Sequence, residues 1–197
     1  MFRSIKPEIR IIGWDDVHFT FKDRETLIIG VVCRGGTQLD GVIAGKITVD
    51  GNDSTGVIAE TVNKSKHGEQ LRIIMLDGIT FGGFNIVDIN SLYKKTGMPV
   101  IVVIRDNPDM AAIRKSLSKF ADADERWNLI EKAGKIRKIE VKNKVLKGRR
   151  AIYYQHAGIE GHDCEKIINL TAVNSAVPEP VRMAHIICSG LKDAGIR

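Results

Sequence analysis

The run Ile73-Ile-Met-Leu76 is apolar without interruption and leads straight into Asp77 and the glycine-rich stretch Gly78-Ile-Thr-Phe-Gly-Gly83. A continuous apolar run, rather than an alternating one, marks a strand covered on both faces, and Val100 to Ile104 repeats the pattern. Between the two, Ile86, Ile89, Leu92 and Tyr93 recur at helical spacing from Asn85 onward, until Gly97 and Pro99 stop the helix. Strand, helix and strand in that order describe an α/β unit with a mixed or parallel sheet. Asp77 then stands at the carboxyl end of its strand, the edge where ligands and catalytic groups collect in open α/β sheets. It is equally suited to stabilising the turn through Gly78.

The rest of the chain supplies what such a sheet needs. Ile9 to Trp14, Leu27 to Cys33 and Gly41 to Val49 read as three successive strands joined by short connections, which suggests an antiparallel meander. Asp53-Ser-Thr55 offers a candidate N-cap for a helix carrying Val57, Ile58, Thr61 and Val62. After Pro108, helices are expected from Met110 to Phe120 and from Asp124 to Lys132, with Gly134 ending the second. Ile136 to Val141 and Lys144 to Leu146 suggest a basic hairpin about Asn143, and Ala151 to Gln155 one more strand. Helices over His162 to Val173 and Val181 to Leu191 close the chain, separated by Pro178-Glu-Pro180.

Composition narrows the class. A chain of 197 residues is long enough for one well-buried domain spanning 1–197. The apolar run Met98 to Ile104 is far too short to span a bilayer, and Arg3, Lys6, Glu8 and Arg10 leave no apolar signal core at the N-terminus, so a cytoplasmic protein without a membrane partner is expected. Cys33, Cys164 and Cys188 are widely spaced and form no C-x-x-C pair, which points to core thiols rather than a disulfide framework or zinc ribbon. The formal net charge of +6 is concentrated: between Lys132 and Arg150 nine basic residues face one acid, Glu140, leaving the remainder at −2. Such a cluster suits a phosphate-binding surface, with Lys142, Lys144, Lys147, Arg149 and Arg150 as nucleic-acid contacts, and it equally suits a solvated ribbon. The glycines at 78–83 match neither G-x-G-x-x-G nor a P-loop.

A meander of three strands followed by helix, strand, helix and strand is the order of the ribonuclease H-like fold. A mixed five-stranded sheet flanked by helices, with the basic hairpin added, is therefore expected. In that topology the first strand lies parallel to and beside the fourth, so Asp15 and Asp77 emerge together at one edge. Two adjacent carboxylates repel when ionised, and a hard cation such as Mg²⁺ or Mn²⁺ relieves the repulsion. Side chains alternate along a strand, so either Asp15 or Asp16, and not both, can face such a site.

Gly13-Trp14-Asp15, Asp77-Gly78, Gly161-His162 and Pro178-Glu-Pro-Val-Arg-Met-Ala184 together resemble the endonuclease V superfamily, in the same order and at comparable separations. The nearer resemblance is to an archaeal family of uncharacterised proteins related to endonuclease V. Endonuclease V is a Mg²⁺-dependent nuclease that cuts beside deaminated purines. The resemblance implies Asp15, Asp77 and His162 as catalytic residues and Asp15 and Asp77 as metal ligands, with Asp53 or Asp163 as a further ligand. It also places Arg105 where the enzyme has a lysine at the end of a strand.

The departures bear on substrate. The enzyme's Pro-Tyr-Ile-Pro wedge has no counterpart in Gly45-Lys-Ile-Thr-Val-Asp50, its glutamate is matched at best by the shorter Asp53, and its His-Pro-Arg becomes Phe81-Gly82-Gly83. Three functions remain in view: a metal-dependent nuclease acting on phosphodiesters of DNA or RNA, a non-catalytic nucleic-acid-binding protein on the same scaffold, and a small-molecule phosphohydrolase.

Overall fold

The computed structural model describes residues 4–20, 22–142 and 151–196. Its main sheet has the order β3-β2-β1-β4-β7-β9-β8. The meander is β1 (Arg10–Asp16), β2 (Glu25–Arg34) and β3 (Gln38–Thr48), each antiparallel to the next. β1 pairs in parallel with β4 (Ile73–Asp77), and β4 in parallel with β7 (Val100–Ile104). These five strands have the expected arrangement, and two more extend the sheet. β9 (Ala151–Ala157) runs antiparallel to β7, and β8 (Arg137–Glu140) antiparallel to β9.

Of the expected basic hairpin only the first arm falls within the described residues. β8 pairs with β9, where Ile139 faces Ile152 across the strands, and Lys144 to Leu146 lie outside the described residues.

Alternation along β1, β4 and β7 divides the interior into two layers. Ile12, Trp14, Ile74, Leu76, Val100 and Val102 point to one face, where α1 (Ser54–Lys64) and α2 (Ile89–Thr96) cover them. Ile11, Ile73, Met75, Ile101 and Val103 point to the other, under α5 (Gly161–Thr171). α6 (Glu179–Asp193) lies against β1 and β2 on that second face, with Ala184 and Cys188 packed on Ile29, Val31 and Cys33. α3 (Met110–Leu117) and α4 (Ala123–Lys132) form a satellite layer around Phe84, Phe120 and Trp127. All three cysteines are buried and free. Among the described residues no helix is long and apolar enough to cross a membrane.

α2 starts later than its apolar spacing suggests. Asn85 and Ile86 instead form β6, paired with Thr80–Phe81 (β5) in a small hairpin. The buried Asn85 side chain explains the difference. Its amide donates to the Thr48 carbonyl at 2.9 Å and the Asp53 carboxylate at 2.5 Å, while its oxygen accepts from the Ser54 N–H at 3.1 Å. Asp88 caps α2, accepting from the N–H groups of Asn90 and Ser91. Asp53 occupies the N-cap position of α1 without making the cap bond, because its carboxylate is taken by Asn85 and by the N–H and hydroxyl of Thr48.

Close approach of α6 to β1 rests on Gly13. A Cβ there would lie 2.2 Å from the Pro180 carbonyl carbon, so any side chain would push the start of the helix off the sheet. The helix start is fixed further by Glu179, fully buried, whose carboxylate accepts from Arg182 and from the Asn174 N–H.

Candidate metal centre

The parallel register sets Trp14 opposite Leu76, so the next residue of each strand, Asp15 and Asp77, emerges at the same edge. Asp15 shares the α6 side of the sheet with Ile11 and Gly13, and Asp77 shares it with Ile73 and Met75. Asp16 points the other way, and its carboxylate accepts the Gly82 N–H at 2.7 Å. The alternation along β1 therefore assigns the two acids different tasks: Asp15 faces Asp77, and Asp16 ties the β5–β6 hairpin to the sheet.

The third member of the cluster comes from α6. His185 Nδ1 lies 2.8 Å from Asp15 Oδ2 and 3.9 Å from Asp77 Oδ2. One ligand atom from each of Asp15, Asp77 and His185 falls within 4.8 Å of the others. Arg105, just beyond the end of β7, places Nη2 2.5 Å from Asp77 Oδ2. A cavity of about 300 Å³ opens beside Asp15 and His185, lined also by His18, Phe19, Ser189 and Lys192.

Electrostatics mark Asp15 as the strained member. Burial, reinforced by the charge of Asp77 and opposed by the hydrogen bond from His185, pushes its carboxyl up to about 7. Burial also raises Asp16, against the stabilising bond from Gly82. Carboxylates crowded in this way accept either a proton or a cation. Two carboxylate oxygens and an imidazole nitrogen form a donor set compatible with a divalent ion. The residues present fit such an ion.

The structure does not bring His162, Asp163 or Asp53 to this cluster. β9 is antiparallel to β7, with Ala157 opposite Val100, and so it delivers the chain to the opposite edge of the sheet before α5 begins. There His162 Nε2 sits 3.0 Å from Asp163 Oδ1, with Lys166 on the same carboxylate. A larger cavity of about 700 Å³ also opens at that far edge, between Arg72, Tyr93, Met98 and Glu160, away from the carboxylate cluster. Size and chemistry thus point to different places, and the convergent ligand atoms are the stronger indication of a site. Lys142 is exposed, and its backbone N–H donates to Asn169 Oδ1. Lys144, Lys147, Arg149 and Arg150 lie outside the described residues.

His185 had a sequence signal. The motif Pro178 to Ala184 stops one residue short of it, and Val181, Ala184 and Cys188 mark the buried face of α6 that His185 borders. What the spacing could not supply was the tilt that brings that border over the end of β1.

A ribonuclease H-like sheet with two carboxylates on adjacent parallel strand ends and a histidine from the last helix defines the class. The comparisons agree on the fold. A family model described as endonuclease dU matches residues 7–192, and the chain belongs to that family. A relative from Methanosarcina mazei, named UPF0215 protein, is 49% identical over 95% of this chain and 92% of its own length. The crystal structure of a protein of unknown function from Archaeoglobus fulgidus superposes with a TM-score of 0.81 at 34% identity, covering 93% of this chain and 98% of that one. Endonuclease V of Ciona intestinalis, in complex with a 24mer DNA containing an inosine followed by a ribo-adenosine, superposes with a TM-score of 0.61 at 13% identity, covering 94% and 87%. At that identity the likeness shows the shared fold.

Proposed function

We propose that the protein is a divalent-metal-dependent endonuclease acting on phosphodiesters of DNA or RNA. The observation that carries the reading is the convergence of Asp15, Asp77 and His185 within 4.8 Å at the carboxyl edge of the sheet. These three residues would hold the ion, Mg²⁺ or Mn²⁺. When bound, the ion lowers the pKa of a coordinated water and neutralises charge on the scissile phosphate.

The chain's own groups do the remaining work. Arg105 stands at the mouth of the site, where its guanidinium would donate hydrogen bonds to a substrate phosphate. β8 ends and β9 begins at this same edge, since Tyr153 pairs with Ile104 and Glu140 with Ala151, and Lys142, Lys144, Lys147, Arg149 and Arg150 would contribute contacts to the backbone of a nucleic acid. The protein would act in the cytoplasm.

Substrate choice follows the departures from endonuclease V. Gly45 to Thr48 continues the regular pairing of β3 with β2, which supports a function that does not depend on a strand-opening wedge. The family description, endonuclease dU, makes deoxyuridine in DNA the first substrate to try.

The test is cleavage of end-labelled strands containing deoxyuridine, inosine or neither, with Mn²⁺, Mg²⁺ or EDTA. Metal-dependent nicking by the intact protein that Asp77→Asn abolishes is the expected result. The pairing of Arg105 with Asp77 favours a second reading, a nucleic-acid-binding protein whose metal position is closed. That reading predicts binding in EDTA that weakens with salt, and no nicking under any condition.

A further inference from the structure

Arg105 holds the very atom that the cluster would use. Asp77 Oδ2 is the oxygen 3.9 Å from His185 Nδ1, and the same oxygen carries the Arg105 Nη2 contact at 2.5 Å. The Asp77 side chain is 12% exposed, whereas that of Arg105 is 41% exposed. The carboxylate is therefore fixed in the site and the guanidinium reaches in from solvent. An arginine does not lose its proton, so it can leave a carboxylate only by swinging away.

We infer that Arg105 is a displaceable counter-cation: it occupies Asp77 until a divalent ion takes its place, and the freed guanidinium then engages the substrate phosphate. The inference rests on the reading of Asp15, Asp77 and His185 as a metal centre and adds an order of events to it. In the resting site each carboxylate has a nitrogen partner, His185 on Asp15 and Arg105 on Asp77, so neither stands bare beside the other.

Metal arrival breaks the second pair and leaves a planar fork of N–H donors at the mouth of the site, the geometry that matches phosphate oxygens. Metal and phosphate binding are then coupled through one side chain, and such coupling is reciprocal. The ion tightens binding of the nucleic acid, and the nucleic acid, by holding the guanidinium away, tightens binding of the ion.

The experiment is a calorimetric titration of Mn²⁺ into the full chain, comparing the parent protein with Arg105→Gln and Asp77→Asn. Anisotropy of a labelled deoxyuridine-containing oligonucleotide is read in parallel at rising Mn²⁺, at 0 °C and within seconds of mixing. Arg105→Gln should bind Mn²⁺ about two- to fivefold more tightly than the parent, the equivalent of a partly exposed ion pair. It should also lose the Mn²⁺-dependent gain in oligonucleotide affinity. A merely structural role for Arg105 would lower metal affinity, not raise it.

Equal or weaker Mn²⁺ binding by Arg105→Gln overturns the inference and leaves the metal centre standing. Failure of both the parent and Arg105→Gln to bind Mn²⁺, or binding that Asp77→Asn does not reduce, overturns the inference and the metal centre together.

Discussion

Replacing Asp15 by asparagine should alter how stability depends on pH. In the folded protein the Asp15 carboxyl is pushed from 3.8 up to about 7, chiefly by burial and then by the charge of Asp77. A group whose folded pKa is raised favours the folded state while it keeps its proton. That contribution is complete below pH 3.8 and is lost as pH rises through the window up to about 7. Each pKa unit corresponds to about 1.4 kcal/mol, so the whole window amounts to about 4 kcal/mol, and the part between pH 5.5 and 8.5 to about 2 kcal/mol.

Only 7% of Asp15 is exposed, so little of this is screened by solvent. Urea unfolding in EDTA, followed by circular dichroism at pH 5.5 and 8.5, measures the effect. The parent protein should lose about 2 kcal/mol more than Asp15→Asn between the two pH values. Saturating Mn²⁺ should recover stability in the parent at pH 8.5, because an ion bound to the folded state alone stabilises it by mass action. Parallel pH profiles for the two proteins would refute the reasoning.

Three further substitutions test how the site is built. Gly13→Ala places a methyl group 2.2 Å from the Pro180 backbone, and should cost about 1–3 kcal/mol in chemical denaturation while weakening Mn²⁺ binding, since α6 carries His185. His185→Ala should leave the fold intact by circular dichroism and lower Mn²⁺ affinity measured calorimetrically by at least the roughly 10- to 100-fold that outer-shell changes bring. Arg126→Ala removes a guanidinium that donates to the carbonyls of Asp50, Gly51 and Phe84 and pairs with Asp122. It should destabilise the protein by about 3 kcal/mol, read as a lower urea midpoint.

The strand ends were legible in the sequence and the helix contributions were not. Asp15 and Asp77 follow apolar runs, and the order of strands already puts those runs side by side, so their adjacency is a property of the chain order. His185 reaches the same edge only because Gly13 lets α6 settle on β1, a tertiary contact with no local signature. His162 illustrates the converse. It stands beside a recognisable Gly-His pair, yet the antiparallel direction of β9 sends it to the far edge of the sheet. Asp53 reads as a helix cap from its neighbours, while the buried Asn85, thirty-two residues away in sequence, claims its carboxylate. Local pattern thus specified most of the elements, while packing specified which side chains meet and turned Asn85–Ile86 into a strand.

The most direct test of the metal centre is anomalous diffraction from crystals soaked in Mn²⁺. A manganese peak is expected within direct coordination distance of oxygens of both Asp15 and Asp77, with His185 nitrogen also bound to it. Diffraction that places manganese elsewhere, or shows none at this edge after saturating soaks, would contradict it.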